Sequence, residues 1–361
     1  MEKAEISAMI DGYGRVIDYV RISVTDRCSL RCVYCMPESG VQPVDHDSIL
    51  RYDEIVRLAG IFSSLGIRKI KLTGGEPLVR KNVSSLVADL KKIPGIQQVT
   101  MTTNGVSLAE QMAELAGAGI DGINLSLDTL HPEVFEQITG RPFFDRVMEG
   151  FHTALQYPSV VLKINCVIAG IAGQDVTGIA ELAKQYPVHV RYIEMMPIGL
   201  GKQFRFCGGD RILQELSERY GSYRICREKL GNGPGRYVSF DGFTGKVGFI
   251  SAVTHKFCDS CNRIRLTAQG FLKTCLQYDT GVDLRALLRN GATDEIIQDA
   301  VRKAVTEKPS CHHFERSGCD TACVPGETAA AGSGGRFYAD AGNGLNLEWK
   351  QEERWMSQIG G

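Results

Sequence analysis

An open, partial (β/α)6 TIM-like barrel with a smaller C-terminal α+β region is the α/β fold that this sequence predicts. Three observations lead there. Between about residues 20 and 195, short apolar runs alternate with longer amphipathic segments, the pattern of βαβ units around a parallel sheet. Six such strands are too few for the eight-stranded closed barrel. After Pro197 the alternation stops, and a hairpin pattern and two helical patterns follow. With 43% hydrophobic and 23% charged residues, the 361-residue chain has enough apolar content for a core of that size.

The elements follow in order. Strands are expected over 21–24, 69–73, 98–102, 122–126, 160–167 and 190–193, each a short apolar or β-branched run. Helices are expected over 52–65, 83–92, 108–116 and 179–185, where apolar residues recur at helical spacing. The runs 236–240 and 246–250 flank Asp241-Gly242-Phe243-Thr244-Gly245 and predict a hairpin, with helices at 284–288 and 294–305. The expected divisions are a barrel over 1–200 and a second region over 201–325. A mobile Gly/Ala-rich insert over 326–346 and a tail over 347–361 complete the chain.

Charge and composition exclude several classes. Lys plus Arg (41) nearly cancels Asp plus Glu (42), leaving a net charge of −1 and no basic excess for gripping nucleic acid. No apolar run is long enough for an ordinary membrane-spanning helix, and the acidic start is unlike a signal peptide, so a cytoplasmic setting is expected. In such a setting twelve cysteines are metal ligands or catalytic thiols before they are disulfides.

Polar motifs recur where strands end: Thr73-Gly74-Gly75-Glu76-Pro77, Thr102-Thr103-Asn104-Gly105 and Ser126-Leu127-Asp128. Ligands of parallel α/β folds bind at those ends, so the motifs should share one rim. Directly after the first strand, Cys28, Cys32 and Cys35 stand in C-x3-C-x2-C spacing. Three thiolates in one loop suit zinc, with His46 or a distant residue as fourth ligand, or a four-iron cubane with one iron left open. Cys258, Cys261 and Cys275 form a second set, C-x2-C-x13-C. It offers the same choice, zinc completed by His255 or Cys311, or a second open cubane. Cys166 reads as core packing, Cys319 and Cys323 as incidental thiols, and His312-His313 as structural or exposed.

The first cysteine loop, with Tyr34 before its last cysteine and Gly-Gly-Glu-Pro at the next strand end, resembles the radical S-adenosylmethionine (SAM) superfamily. That resemblance implies a [4Fe-4S] cluster whose open iron chelates SAM, and a reductively formed 5′-deoxyadenosyl radical. It places Tyr34 and Gly75 beside SAM, Ser126 at its ribose or carboxylate and Met196 near its adenine. Gly74 and Gly75 then lack Cβ atoms so that SAM can approach the backbone.

The second cysteine set, followed by Arg263-Ile264-Arg265, resembles the GTP 3′,8-cyclase family of molybdenum cofactor biosynthesis over most of the chain. The resemblance implies a second [4Fe-4S] cluster that holds the purine. It also implies hydrogen abstraction at ribose C3′ and the product (8S)-3′,8-cyclo-7,8-dihydroguanosine 5′-triphosphate. Arg21, Lys71, Thr102, Lys163, Arg263, Ile264 and Arg265 become GTP contacts, and Arg191 and the Gly360-Gly361 end become pocket residues. Position 71 departs from the family's arginine, so Lys71 keeps the charge without the bidentate fork. No G-x4-G-K-[ST] phosphate loop is present. Implied partners are GTP, a low-potential electron donor and a downstream pyranopterin-forming enzyme, acting on a monomer or homodimer. Two other readings are a radical SAM peptide-modifying enzyme with an auxiliary cluster and a zinc-stabilised binding module.

Overall fold

The computed structural model describes residues 8–42, 44–205, 207–228, 230–314 and 351–359. The expected 326–346 insert, Cys319, Cys323, Gly360 and Gly361 lie outside the described residues.

The chain opens its barrel with β1 (Tyr19–Ser23), α1 (Tyr52–Ser64), β2 (Lys69–Thr73), α2 (Val83–Lys92), β3 (Gln98–Thr103) and α3 (Leu108–Gly117). There follow β4 (Gly122–Ser126), α4 (Pro132–Thr139), α5 (Phe144–Leu155), β5 (Val161–Ile168), α6 (Ala180–Gln185) and β6 (His189–Glu194). The six strands pair in parallel and in chain order, as the alternating pattern predicts. Local chemistry explains the boundaries. The Arg51 amide donates to Glu54 Oε2 at 2.7 Å as α1 begins. Its Ile55, Leu58, Ala59 and Phe62 then recur on one buried face.

Helices α4 and α5 were not expected from the sequence, although their signals are present. Pro132 stands in the first turn of α4, and Gly140 ends it at φ 68°. In α5, Val147, Gly150, Phe151 and Ala154 make a buried stripe. Truncating the fully buried Phe151 to alanine would cost about 3–5 kcal/mol.

After α7 (Gly209–Tyr220) come β7 (Tyr223–Cys226), β8 (Arg236–Phe240), β9 (Val247–Ile250), β10 (Arg263–Leu266), β11 (Phe271–Lys273) and β12 (Gly281–Asp283). The expected hairpin is the antiparallel pair β8 and β9. Helices α8 (Leu284–Arg289), α9 (Asp294–Thr306) and α10 (Met356–Ile359) complete the described chain. The later strands extend the barrel sheet at both edges, since β9 lies parallel to β6 and β10 parallel to β1. The sheet therefore runs β12-β11-β10-β1-β2-β3-β4-β5-β6-β9-β8-β7.

Strand alternation gives this sheet two unlike faces. Ile22, Ile70, Leu72, Met101, Ile123, Leu125, Ile164, Val190 and Tyr192 point outward into one continuous apolar core beneath the helices. The alternate residues, including Arg21, Lys71, Thr102, Asn124, Lys163 and Arg191, face a common inner cavity. Among the described residues no helix is long and apolar enough to cross a membrane.

Candidate active site

The inner cavity has a volume of about 810 Å³, within the range of small-molecule sites. Both cysteine sets line it. The first set is fixed by the loop after β1 and by the Gly-Gly-Glu strand end of β2. The Gly75 amide donates to Thr25 O at 2.7 Å and the Glu76 amide to Arg27 O at 2.8 Å. A Cβ at position 75 would fall 2.3 Å from Arg27 O, and one at 74 would fall 2.6 Å from Thr25 O. The sequence reading gave those missing Cβ atoms to the approach of SAM. In the structure their space is already taken by the backbone of the cysteine loop itself.

Glu76 and Asp128 hold this end together from below. Glu76 accepts from the Leu78 amide (2.9 Å), the Thr103 hydroxyl (2.7 Å) and the Asn104 amide (2.6 Å). Burial pushes its carboxyl up to about 7 against those three donors. Asp128 accepts from the Tyr34 phenol at 2.5 Å and the Val167 amide at 2.7 Å, and burial raises it to about 6. Asn104 Nδ2 reaches Ser29 Oγ at 3.0 Å and Cys28 Sγ at 3.7 Å.

These surroundings oppose free thiolates. Burial, then Glu76, raises the Cys28 thiol to about 11, and burial, then Cys28, raises Cys35 to about 12. Cys32 moves in the same direction, by burial and then by its two neighbouring cysteines. Three soft thiols without disulfide partners, mutually repulsive once ionised, suit the compensating charge of an iron–sulfur centre. His46, a possible fourth zinc ligand by sequence, lies instead in a separate depression beside Arg285 and Arg289.

The second set lies in the opposite electrostatic setting. Burial would raise the Cys261 thiol, but Lys308 and Arg263 outweigh it and hold it at about 7. Cys258 is raised by burial, and its sulfur accepts from the His312 amide at 3.4 Å. Arg15 donates to the Cys258 carbonyl at 2.9 Å and to the Pro309 carbonyl at 2.7 Å, tying this loop to the chain after α9. Cys311 lines the same end of the cavity, whereas His255 bonds Asp210 at 2.8 Å. Among the described residues no three His, Cys, Asp or Glu side chains converge closely enough to hold a single ion.

Cations occupy the wall between the two sets. Arg21, Lys71, Lys163, Arg191, Arg263 and Arg265 all line the cavity, as does Thr102. Lys71 is held well below the usual lysine range by burial and then by Arg191, Arg21, Lys163 and Arg263. Burial and Arg191 bring Lys163 down to about 8, and its ammonium donates to the Leu230 carbonyl. Arg191 Nη2 is aimed by Asn124 Oδ1 at 2.7 Å and Asn165 Oδ1 at 2.5 Å. Like charges gathered in a buried wall demand an anion, and guanidinium forks suit phosphate oxygens.

The structure thus brings together Tyr34, Gly75, Ser126 and Met196 with the six cysteines and the cations. Ile264 is the exception. It alternates with Arg263 and Arg265, so its fully buried side chain points into the outer core. Gly360 and Gly361 lie outside the described residues. Sequence reasoning missed Asn104, Asn124, Asn165, Lys308 and Arg15. Of these, only Asn104 carried a signal, its place in a strand-end motif.

Residues 22–184 match the family model described as the radical SAM superfamily, and residues 188–314 match the model described as molybdenum cofactor synthesis C. The chain is similar to a GTP 3′,8-cyclase of Heliobacterium modesticaldum, at 45% identity over 98% of this chain and 100% of that protein. A GTP 3′,8-cyclase of Syntrophomonas wolfei is 46% identical over 85% of this chain and 95% of that protein. Among solved structures, Streptococcus suis SuiB bound to precursor peptide SuiA superposes with a TM-score of 0.55 at 14% identity. It covers 82% of this chain and 67% of that one, a likeness of fold alone.

Proposed function

The chain belongs to the GTP 3′,8-cyclase family of radical SAM enzymes, which act in the first step of molybdenum cofactor biosynthesis, and from that membership we infer how its cavity divides the work. Cys28, Cys32 and Cys35 would hold a [4Fe-4S] cluster beside SAM, and Cys258, Cys261 and Cys275 would hold a second cubane. When bound, the first cluster and SAM would supply the one-electron radical chemistry for hydrogen abstraction at ribose C3′ of GTP. Every other task falls to the chain.

The observation that carries this reading is the wall of cations between two thiol sets, with their mutual repulsion written into Lys71. GTP brings about four negative charges near neutral pH, and those cations would neutralise its triphosphate. Arg191, fixed by two asparagine oxygens, is a preorganised fork that need not be ordered on binding. Lys308 and Arg263 favour anionic character around Cys261, at the end where the purine would be held. Met196, Ser126 and Tyr34 surround the SAM end. A low-potential electron donor and a downstream pyranopterin-forming enzyme complete the reading.

Iron analysis of the anaerobically reconstituted chain tests it. About eight irons per chain are expected, falling to about four in Cys275→Ala with SAM cleavage retained in part. Zinc in place of iron, or loss of all iron in that variant, would overturn the two-cluster assignment.

A further inference from the structure

The short segment 351–359 spans the two ends of the cavity. Gln351 bridges Tyr278, and the Glu352 amide donates to Gln277 O at 2.6 Å, two residues from Cys275. The Glu352 carboxylate, 1% exposed, meets the ammonium of Lys273, which is fully buried, while Arg354 Nε donates to Glu352 Oε1 at 2.9 Å. From this anchor the chain runs past Trp355, which packs against Gly199, into α10. Ile359 is fully buried with Ile198, Val253 and Phe314, and Met196 and Leu276 close the cluster.

The anchor delivers Ser357 to the first cysteine set. Its backbone N–H faces the Cys35 sulfur and favours that thiolate, against the burial and the neighbouring Cys28 that raise the thiol. Its side chain is 2% exposed and lines the cavity, yet Ser357 Oγ has no hydrogen-bond partner among the described residues. A buried hydroxyl without a partner costs about 1–3 kcal/mol, so a ligand in that cavity is its natural acceptor.

We propose that Ser357 is a positioning residue of the SAM centre, its N–H supporting the Cys35 thiolate and its hydroxyl bonding SAM, with Glu352 and Lys273 as the clasp that holds it there. The proposal rests on the reading of Cys28, Cys32 and Cys35 as cluster ligands. Hydrogen bonds to ligating sulfur stabilise the reduced, more negative cluster and raise its potential. The two donors of Ser357 therefore have separable effects. The clasp also makes the SAM centre dependent on the Cys275 end of the cavity, through a strap that is not contiguous with either loop in sequence.

Proline is tolerated in the first helical turn, where Ser357 lies; Ser357→Pro deletes the N–H together with the hydroxyl and Ser357→Ala deletes only the hydroxyl, so their difference isolates the N–H. Two measurements are made on the reconstituted full chain: an EPR-monitored redox titration and equilibrium binding of SAM. Ser357→Pro is expected to lower the reduced-to-oxidised ratio at fixed poise by about tenfold, ~59 mV for one electron. Ser357→Ala should leave the titration in place and weaken SAM binding by about three- to tenfold. Glu352→Gln, which loosens the clasp and leaves position 357 intact, should move both readouts in the same directions and decides the matter if the proline variant loses its cluster. Parental titration and SAM affinity in Ser357→Pro and Glu352→Gln would overturn the proposal. A parent chain without a reducible cubane would instead overturn the cluster assignment beneath it.

Discussion

The Tyr34 phenol donates to Asp128 Oδ2 at 2.5 Å, joining the aromatic position of the cysteine loop to the Ser-Leu-Asp end of β4. Asp128 also accepts from the Val167 amide, so one buried carboxylate fixes the loop after β1, the end of β4 and β5 in a single arrangement. Tyr34 therefore has a structural task beside any contact with SAM.

Removing that phenol should be felt in folding. Tyr34→Phe leaves a buried carboxylate short of one donor, at a cost of about 1.5–3 kcal/mol. Denaturant unfolding of the metal-free chain should show a lowered midpoint with an unchanged slope. An unchanged midpoint would mean that the contact does not hold the loop.

Gly75→Ala should damage the first metal site selectively, because its Cβ would meet Arg27 O at 2.3 Å and Asp26 O at 2.7 Å. The loop must shift to admit it, with an overpacking cost of about 1–3 kcal/mol. Iron should fall to about half, with the second set retained. Gly117→Ala, with nothing within 4 Å of the added atom, is the matched control and should fold and load normally.

The pH dependence of GTP binding should carry the mark of Lys163. Burial, then Arg191, depresses its ammonium to about 8, so it is charged below that pH and neutral above it. A triphosphate favours the charged form, and binding above pH 8 must take up a proton. Affinity should therefore fall as the pH rises through about 8, towards about tenfold per pH unit above it. Lys163→Arg keeps its charge and should flatten that limb. The same slope in both proteins would assign the titration to another group.

Much of this arrangement is legible in the sequence. The strand ends at Thr73, Thr103 and Ser126 carry the motifs, and parallel alternation places them on one rim. The cysteine spacings mark both thiol sets that line the cavity. Continuity of β9 and β10 with the barrel is not legible, because edge pairing depends on tertiary register and leaves no local pattern. Lys308 and Arg15 act through carbonyls distant in sequence, so nothing beside them in the chain announces a role. The two-residue period of a strand sends the Ile264 side chain away from the cavity that Arg263 and Arg265 face.

Arg191 on β6 owes its orientation to Asn165 on the adjacent β5 and Asn124 on β4 beyond it. Asn165→Ala should loosen the fork and weaken GTP binding by about three- to tenfold, with SAM binding unchanged. Titrating both ligands against the variant separates the effects. Parallel losses in both would indicate a general disturbance of the cavity.

The central claim is that the cavity holds ribose C3′ of GTP against the carbon radical formed from SAM at Cys28, Cys32 and Cys35. Even a 1 Å misplacement there would cost about a hundredfold in rate. GTP deuterated only at C3′ should be turned over with SAM and a reductant by the anaerobically reconstituted chain, and the released 5′-deoxyadenosine analysed by mass. Deuterium in the 5′-deoxyadenosine, with formation of cyclised nucleotide, is the predicted result. Unlabelled 5′-deoxyadenosine accompanying the same cyclised product would contradict the account.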